Sequence, residues 1–231
     1  MNRFSSMFRM NLVGWPAAIA WPWGILVAAW LVNVVIWAAM PESARANAQT
    51  FGLVSVAIVT MIAFITAMTQ FFPFAMGLGA TRRAFFLAIA AYAAAQALVF
   101  GVMLFLLSLV ERSTDGWGVA LDFFWFPAFD AGNVVVQPLV YAVPLLLFAV
   151  VGMVCGVVHK RWGGNGTMGL LLAFVVAGGA LVAWLTWREQ WPGFASFFTD
   201  QSASALFIGW PLLPIALLLA GGYAVLRRTV P

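Results

Sequence analysis

Few side chains in this sequence are suited to chemistry, and their spacing gives them few partners. His159 is the single histidine and Cys155 the single cysteine. A Ser–His–Asp set needs its histidine between a hydroxyl and a carboxylate, whereas His159 is followed directly by Lys160 and Arg161. One cysteine cannot form an intrachain disulfide, a cysteine-rich metal cluster or a dithiol pair. Lys160 is the only lysine and precedes Arg161, so a phosphate-binding Gly-x4-Gly-Lys-Ser/Thr loop cannot be written. Gly164, Gly166 and Gly169 do spell G-x-G-x-x-G, but a dinucleotide site needs a strand before that run and a soluble helix after it. The carboxylates that acid–base catalysis on a lipid or peptide would have to use are Glu111, Asp115, Asp122 and Asp130, grouped between two apolar runs.

The elements around these residues are those of a membrane protein. Of 231 residues, 65% are hydrophobic and 8% charged. A soluble domain carries about 25% charged residues, so this chain must use lipid as its solvent. Six stretches are long enough to cross the hydrocarbon core and contain no Asp, Glu, Lys, Arg or His. They fall at about residues 22–40, 51–75, 84–110, 137–158, 168–187 and 205–226. The expected fold is therefore all-α, a single polytopic domain over residues 1–231.

Charge sets the orientation. Arg3, Arg9, Arg82, Arg83, Lys160, Arg161, Arg227 and Arg228 lie at the termini and in the even-numbered connections, which is eight of the eleven basic residues. All seven acidic residues lie in the odd-numbered connections. Short loops rich in Lys and Arg stay in the cytoplasm, so both termini are expected inside. The net charge of +4 comes as isolated pairs between apolar runs, a pattern that speaks against nucleic-acid binding. No small-residue cleavage pattern follows the first basic residues, so the first apolar run is expected to stay as a span.

Residues 1–15 form an expected interfacial helix, with Phe4, Met7, Phe8 and Leu12 on one face and Arg3 and Arg9 elsewhere. Two aromatic-rich segments, 117–136 and 189–200, are expected at the outer face; Asp122, Asp130 and Pro127 argue against a crossing in the first. The polar residues inside spans include Asn33 and Gln96. Interhelical hydrogen bonding is the plain expectation for both, and lining a substrate path is the alternative. Gly152-x-x-x-Gly156 can let two helices approach closely. Ion-coupled pumps carry ionisable groups within the bilayer, and these six stretches carry none. Uphill transport by this chain would draw its energy from another protein.

The segment FFPFAMGLGATRRAFF, residues 71–86, resembles the connection between the second and third spans of ABC-2 type exporter permeases. Phe72, Pro73, Gly79, Thr81, Arg82, Arg83, Phe85 and Phe86 match in order. The residues Glu111 to Gly118 resemble the outer end of the third span in that family, and Arg9, Leu12, Trp15 and Pro16 resemble its entry. The resemblance implies a multi-pass protein of the bacterial cytoplasmic membrane, paired with a second permease subunit, identical or homologous. It also implies a cytosolic ATPase subunit that binds ATP and magnesium, this chain holding no cofactor itself. By the same resemblance, Met76, Gly77, Leu78, Gly79, Ala80, Thr81, Arg82 and Arg83 form the loop that docks on the ATPase. His159, Lys160 and Arg161 belong to the second cytoplasmic loop. The cargo is expected to be a lipid, peptide or drug-like amphiphile, and the alternative function is a non-transporting scaffold or regulatory subunit.

Overall fold

The computed structural model describes residues 15–45 and 50–228, so the expected interfacial helix over residues 1–15 lies almost wholly outside them. The described residues are helical, without strands. Among the described residues, five helices are long and apolar enough to cross a membrane. We number the helices α1 (Trp15–Ala39), α2 (Val54–Gly77), α3 (Arg82–Ser113), α4 (Gln137–Trp187), α5 (Trp191–Thr199) and α6 (Ala205–Leu226).

α1 carries no charged residue, and its end is closed by the first cation that follows it. Arg45 donates from Nε to the Met40 carbonyl at 2.9 Å and from Nη2 to the Ala38 carbonyl at 3.2 Å. These are carbonyls that a helix C-terminus leaves without a partner, where positive charge is favoured. α2 widens into a π-turn over Ala67–Phe71, just before Pro73. Proline has no N–H to give the preceding turn and its ring crowds the carbonyl four residues back, so the wider turn makes room. α6 repeats the device, with a π-turn over Ala205–Gly209 followed by Pro211.

α4 departs from expectation. The segment around His159, Lys160 and Arg161 was expected to be a loop joining two spans, yet helix runs through it from Gln137 to Trp187 and breaks at one residue, Gly163 (φ 64°, ψ −155°). The left-handed φ is open to glycine at no steric cost, so one residue does the work of a loop. The arms on either side, residues 137–162 and 164–187, differ sharply. The first is the centre of the bundle. In the second, Leu185 alone is buried.

Two buried clusters stack along the bundle. One joins Met68 and Phe72 of α2, Phe85 and Phe86 of α3, Met153 and Val157 of α4, and Leu226 of α6. The other joins Leu26 and Trp37 of α1, Val56 of α2, Phe100 and Leu104 of α3, Tyr141 of α4, and Leu121, Phe123 and Phe124 from the α3–α4 connection. Close approach between α2 and α4 depends on glycine. A Cβ at Gly152 would sit 2.3 Å from the Met61 carbonyl oxygen, and one at Gly156 would sit 2.5 Å from the Met68 Cβ. Gly152-x-x-x-Gly156 is therefore a packing motif, and it joins helices within this chain.

The first arm of α4 runs parallel to α6. Phe129, beside the start of that arm, stacks edge-on with Phe207 at 4.6 Å, and Val157 near its far end shares a cluster with Leu226. Two parallel neighbours need a return path between them, and the second arm with α5 supplies it.

Candidate functional site

The turn between α2 and α3 is compact. α2 ends with backbone bonds from Leu78 N to the Phe74 carbonyl (3.2 Å), Gly79 N to Met76 (3.0 Å) and Ala80 N to Ala75 (3.1 Å). Gly79 takes φ +78°, the left-handed conformation that commonly closes a helix. Thr81 then caps α3, its hydroxyl oxygen accepting from Ala84 N at 3.2 Å. Met76, Gly77, Leu78, Gly79, Ala80 and Thr81 are thus an ordered α–α corner, Gly77 belonging to the last turn of α2.

The two arginines after the cap have separate places. Arg82 donates from Nη1 to the carbonyl of Arg227 at 2.5 Å, across 145 positions of sequence. It closes the C-terminus of α6 as Arg45 closes that of α1. Beneath it, Phe86 packs on Tyr223 with ring centroids 5.5 Å apart, and Leu226 is fully buried. Arg83 is exposed. The sequence signal for this division was the helical spacing, which turns adjacent residues about 100° apart.

His159, Lys160 and Arg161 follow Val157 at the same end of the bundle as Leu226. His159 Nδ1 lies 2.9 Å from the Thr167 hydroxyl, across the break at Gly163. The Arg161 guanidinium lies over the Trp162 ring, 4.6 Å from its centroid. Seven residues that are cationic or can become so, Arg82, Arg83, His159, Lys160, Arg161, Arg227 and Arg228, therefore share one end of the molecule.

The two polar residues considered for a substrate path are placed differently. Asn33 accepts from the Thr50 hydroxyl at 2.7 Å and donates to the Ala29 carbonyl at 2.8 Å, so it ties α1 to the chain entering α2. Gln96 is buried in α3.

Sequence reasoning missed what Glu111 does. Its side chain is 1% exposed, and its carboxylate accepts from four N–H groups. The donors are the Trp117 indole (2.7 Å) and the backbone amides of Phe123 (3.1 Å), Phe124 (2.9 Å) and Trp125 (2.8 Å). Charged acceptors make the stronger hydrogen bonds, and here one carboxylate gathers a whole connection around itself. The connection bends to meet it. Asp115, Gly116, Trp117, Gly118 and Ala120 all have positive φ, three of them without the freedom of glycine. With both oxygens engaged, Glu111 serves as an anchor. Gly116 and Gly118, directly after Asp115, were the visible signal of a tight turn behind it.

No protein-family model matches this chain, and neither a curated protein nor a solved structure matches it.

Proposed function

We propose that this chain is the membrane subunit of an ATP-driven exporter of the ABC-2 type, moving an amphiphile across a bacterial cytoplasmic membrane. Six crossings with both termini inside fit the parallel run of α4's first arm and α6, which calls for a crossing by residues 164–187. The cations grouped at one end then face the cytoplasm. Energy comes from a separate ATPase subunit carrying ATP and magnesium, since the expected spans hold no ionisable group to couple to an ion gradient. A second permease subunit completes the path.

The observation that carries this reading is the corner at residues 78–81. It is ordered and exposed at Leu78 and Gly79, and through Arg82 and Phe86 it is joined to the end of α6. A push on it reaches three helices at once. Arg83, pointing free of that tie, is available to an acidic group on a partner.

The experiment is co-purification of this chain with ATPase subunits encoded beside it, followed by reconstituted hydrolysis and transport. Association and cargo-stimulated hydrolysis, both lost in the Arg83→Glu protein, are the expected result. A stable chain that associates with other membrane proteins and leaves every ATPase unaffected would replace transport with a scaffold role.

A further inference from the structure

The basic end of the bundle has no carboxylate of its own. The seven acidic residues lie at position 42 or within 111–130 and 189–200, and none lies on the segments 76–86, 154–167 and 219–228 that build this end. Two of its cations flank the seam between α4 and α6. A Cβ on Gly222 would lie 3.1 Å from Val154 Cγ2, which fixes the height at which these helices meet. Arg161 follows Val154 by two turns, on the same face of α4. Arg228 follows Gly222 by six residues. The last turn of α6 carries on to it through bonds from Arg227 N to the Tyr223 carbonyl and from Arg228 N to the Val225 carbonyl, both 3.0 Å. Because the helices run parallel, the two arginines stand within about 2 Å of one level, across a helix spacing of about 8–10 Å.

Two features say what would lie between them. The first is charge. Two cations one helix spacing apart repel, and a phosphate placed between them turns that repulsion into attraction. The second is the surface beneath Arg228. Ala224, Gly221 and Leu217 precede it at spacings of four, three and four, the period of one helix face, and all four residues are exposed. Nothing lies within 4 Å of a Cβ added at Gly221, so this strip is open along its length. A cation above a smooth apolar strip matches a molecule with an anionic head and a hydrocarbon tail. The level agrees. The Arg161 guanidinium lies 4.6 Å from the centroid of the Trp162 ring, and Trp162 is 50% exposed. Tryptophan favours the headgroup level of a bilayer.

We infer that the seam between α4 and α6 is a binding site for one anionic phospholipid. Its phosphate sits between Arg161 and Arg228, and an acyl chain runs down α6 over Ala224, Gly221 and Leu217. The lipid thereby bridges α4 to α6 beyond their last protein contact. Neither cargo nor an ATPase enters this site, so its test stands apart from the exporter reading.

The test uses the full chain in neutral detergent, incubated with equal amounts of dioleoylphosphatidylglycerol and dioleoylphosphatidylcholine. Native mass spectrometry counts the lipids each chain retains. One phosphatidylglycerol per chain is expected in preference to phosphatidylcholine. Arg161→Gln and Arg228→Gln should each lower that preference about fivefold, the worth of one cation near an anionic headgroup. Arg228→Lys should keep most of it. Arg83→Gln removes one charge from the same end, away from the seam, and should leave the preference unchanged. Ala224→Trp keeps every charge but blocks the strip, so it too should lower retention. Excess inorganic phosphate should not displace the lipid. Equal retention of the two lipids by the unmodified chain would overturn the inference. An equal loss in Arg83→Gln would do so as well, by showing attraction to the charged end as a whole. Displacement by phosphate, or full retention in Ala224→Trp, would leave an anion site with no place for a tail and overturn the lipid.

Discussion

The guanidinium of Arg82 and the carbonyl of Arg227 meet at 2.5 Å, joining the beginning of α3 to the end of α6. A neighbouring arginine, Arg83, makes no such closure and is exposed. Arg82→Ala should therefore loosen residues 223–228 and lower stability by about 1 kcal/mol, the ordinary size of one net hydrogen bond. Arg83→Ala should leave that segment unchanged. Amide exchange over the end of α6 separates the two. With a partner ATPase present, Arg83→Lys should weaken association less than Arg83→Glu, because charge survives the first change.

The Glu111 anchor predicts a graded series. Glu111→Gln keeps an acceptor but loses the charge. Glu111→Ala leaves the amides of Phe123, Phe124 and Trp125 without a partner, at a cost of roughly 3–5 kcal/mol. Thermal unfolding in detergent should rank wild type above Gln and Gln above Ala. Protease sensitivity should rise first between residues 114 and 126.

Glycine contacts give an internal control. Gly152→Ala and Gly156→Ala push a methyl into α2 and should each cost about 1–3 kcal/mol. Gly178, on the open arm of α4, has nothing within 4 Å of an added Cβ. Gly178→Ala should be neutral, or stabilising by up to about 1 kcal/mol from helix propensity. Reversal of that order in unfolding midpoints would mean that the α2–α4 contact is absent in the membrane.

Gly79 has open space around an added Cβ but a left-handed φ, so its cost is one of backbone alone. Gly79→Asn should be tolerated and Gly79→Val should destabilise the corner by about 1–2 kcal/mol. Gly79→Trp should insert normally yet fail to couple ATP hydrolysis to cargo. Normal coupling in that protein would reduce the corner to a simple connector.

Orientation is checked by single cysteines in a Cys155→Ala background. Thr114→Cys and Gly193→Cys should react with an impermeant maleimide in intact cells, and Leu78→Cys only after permeabilisation. Gly116 would be a poor choice, because a Cβ there would sit 2.5 Å from the Leu121 nitrogen. Labelling at Leu78 from outside would sink the topology and the proposed docking corner together.

Much of the helical layout was legible in the sequence, since an apolar run without charge has one way to satisfy its backbone in lipid. Residues 84–110 and 205–226 match α3 and α6 to within a few positions at most ends. The continuous helix through His159, Lys160 and Arg161 was not legible. Glycines and charges there suit a loop by composition, and whether a helix resumes after one left-handed residue depends on contacts such as that of His159 with Thr167. Glu111 was hidden for a different reason. Its place in the sequence is that of an outer-loop acid, and its four donors appear only once residues 115–120 have bent back. Arg82 and Arg83 looked alike because positive charge near a span end explains both; the carbonyl that distinguishes them is 145 residues away.

That separation also has a meaning in time. At about 5–20 residues per second, the ribosome needs roughly 7–30 s to travel from Arg82 to its acceptor. Through that interval α2 and α3 stand in the bilayer with their corner arginine unmatched, and lipid phosphate is the nearest thing able to hold it. The corner itself closes early through local bonds, while its tie to α6 waits for residue 227, and a cell short of anionic lipid should accumulate the protein with α2 and α3 inserted and α6 undocked.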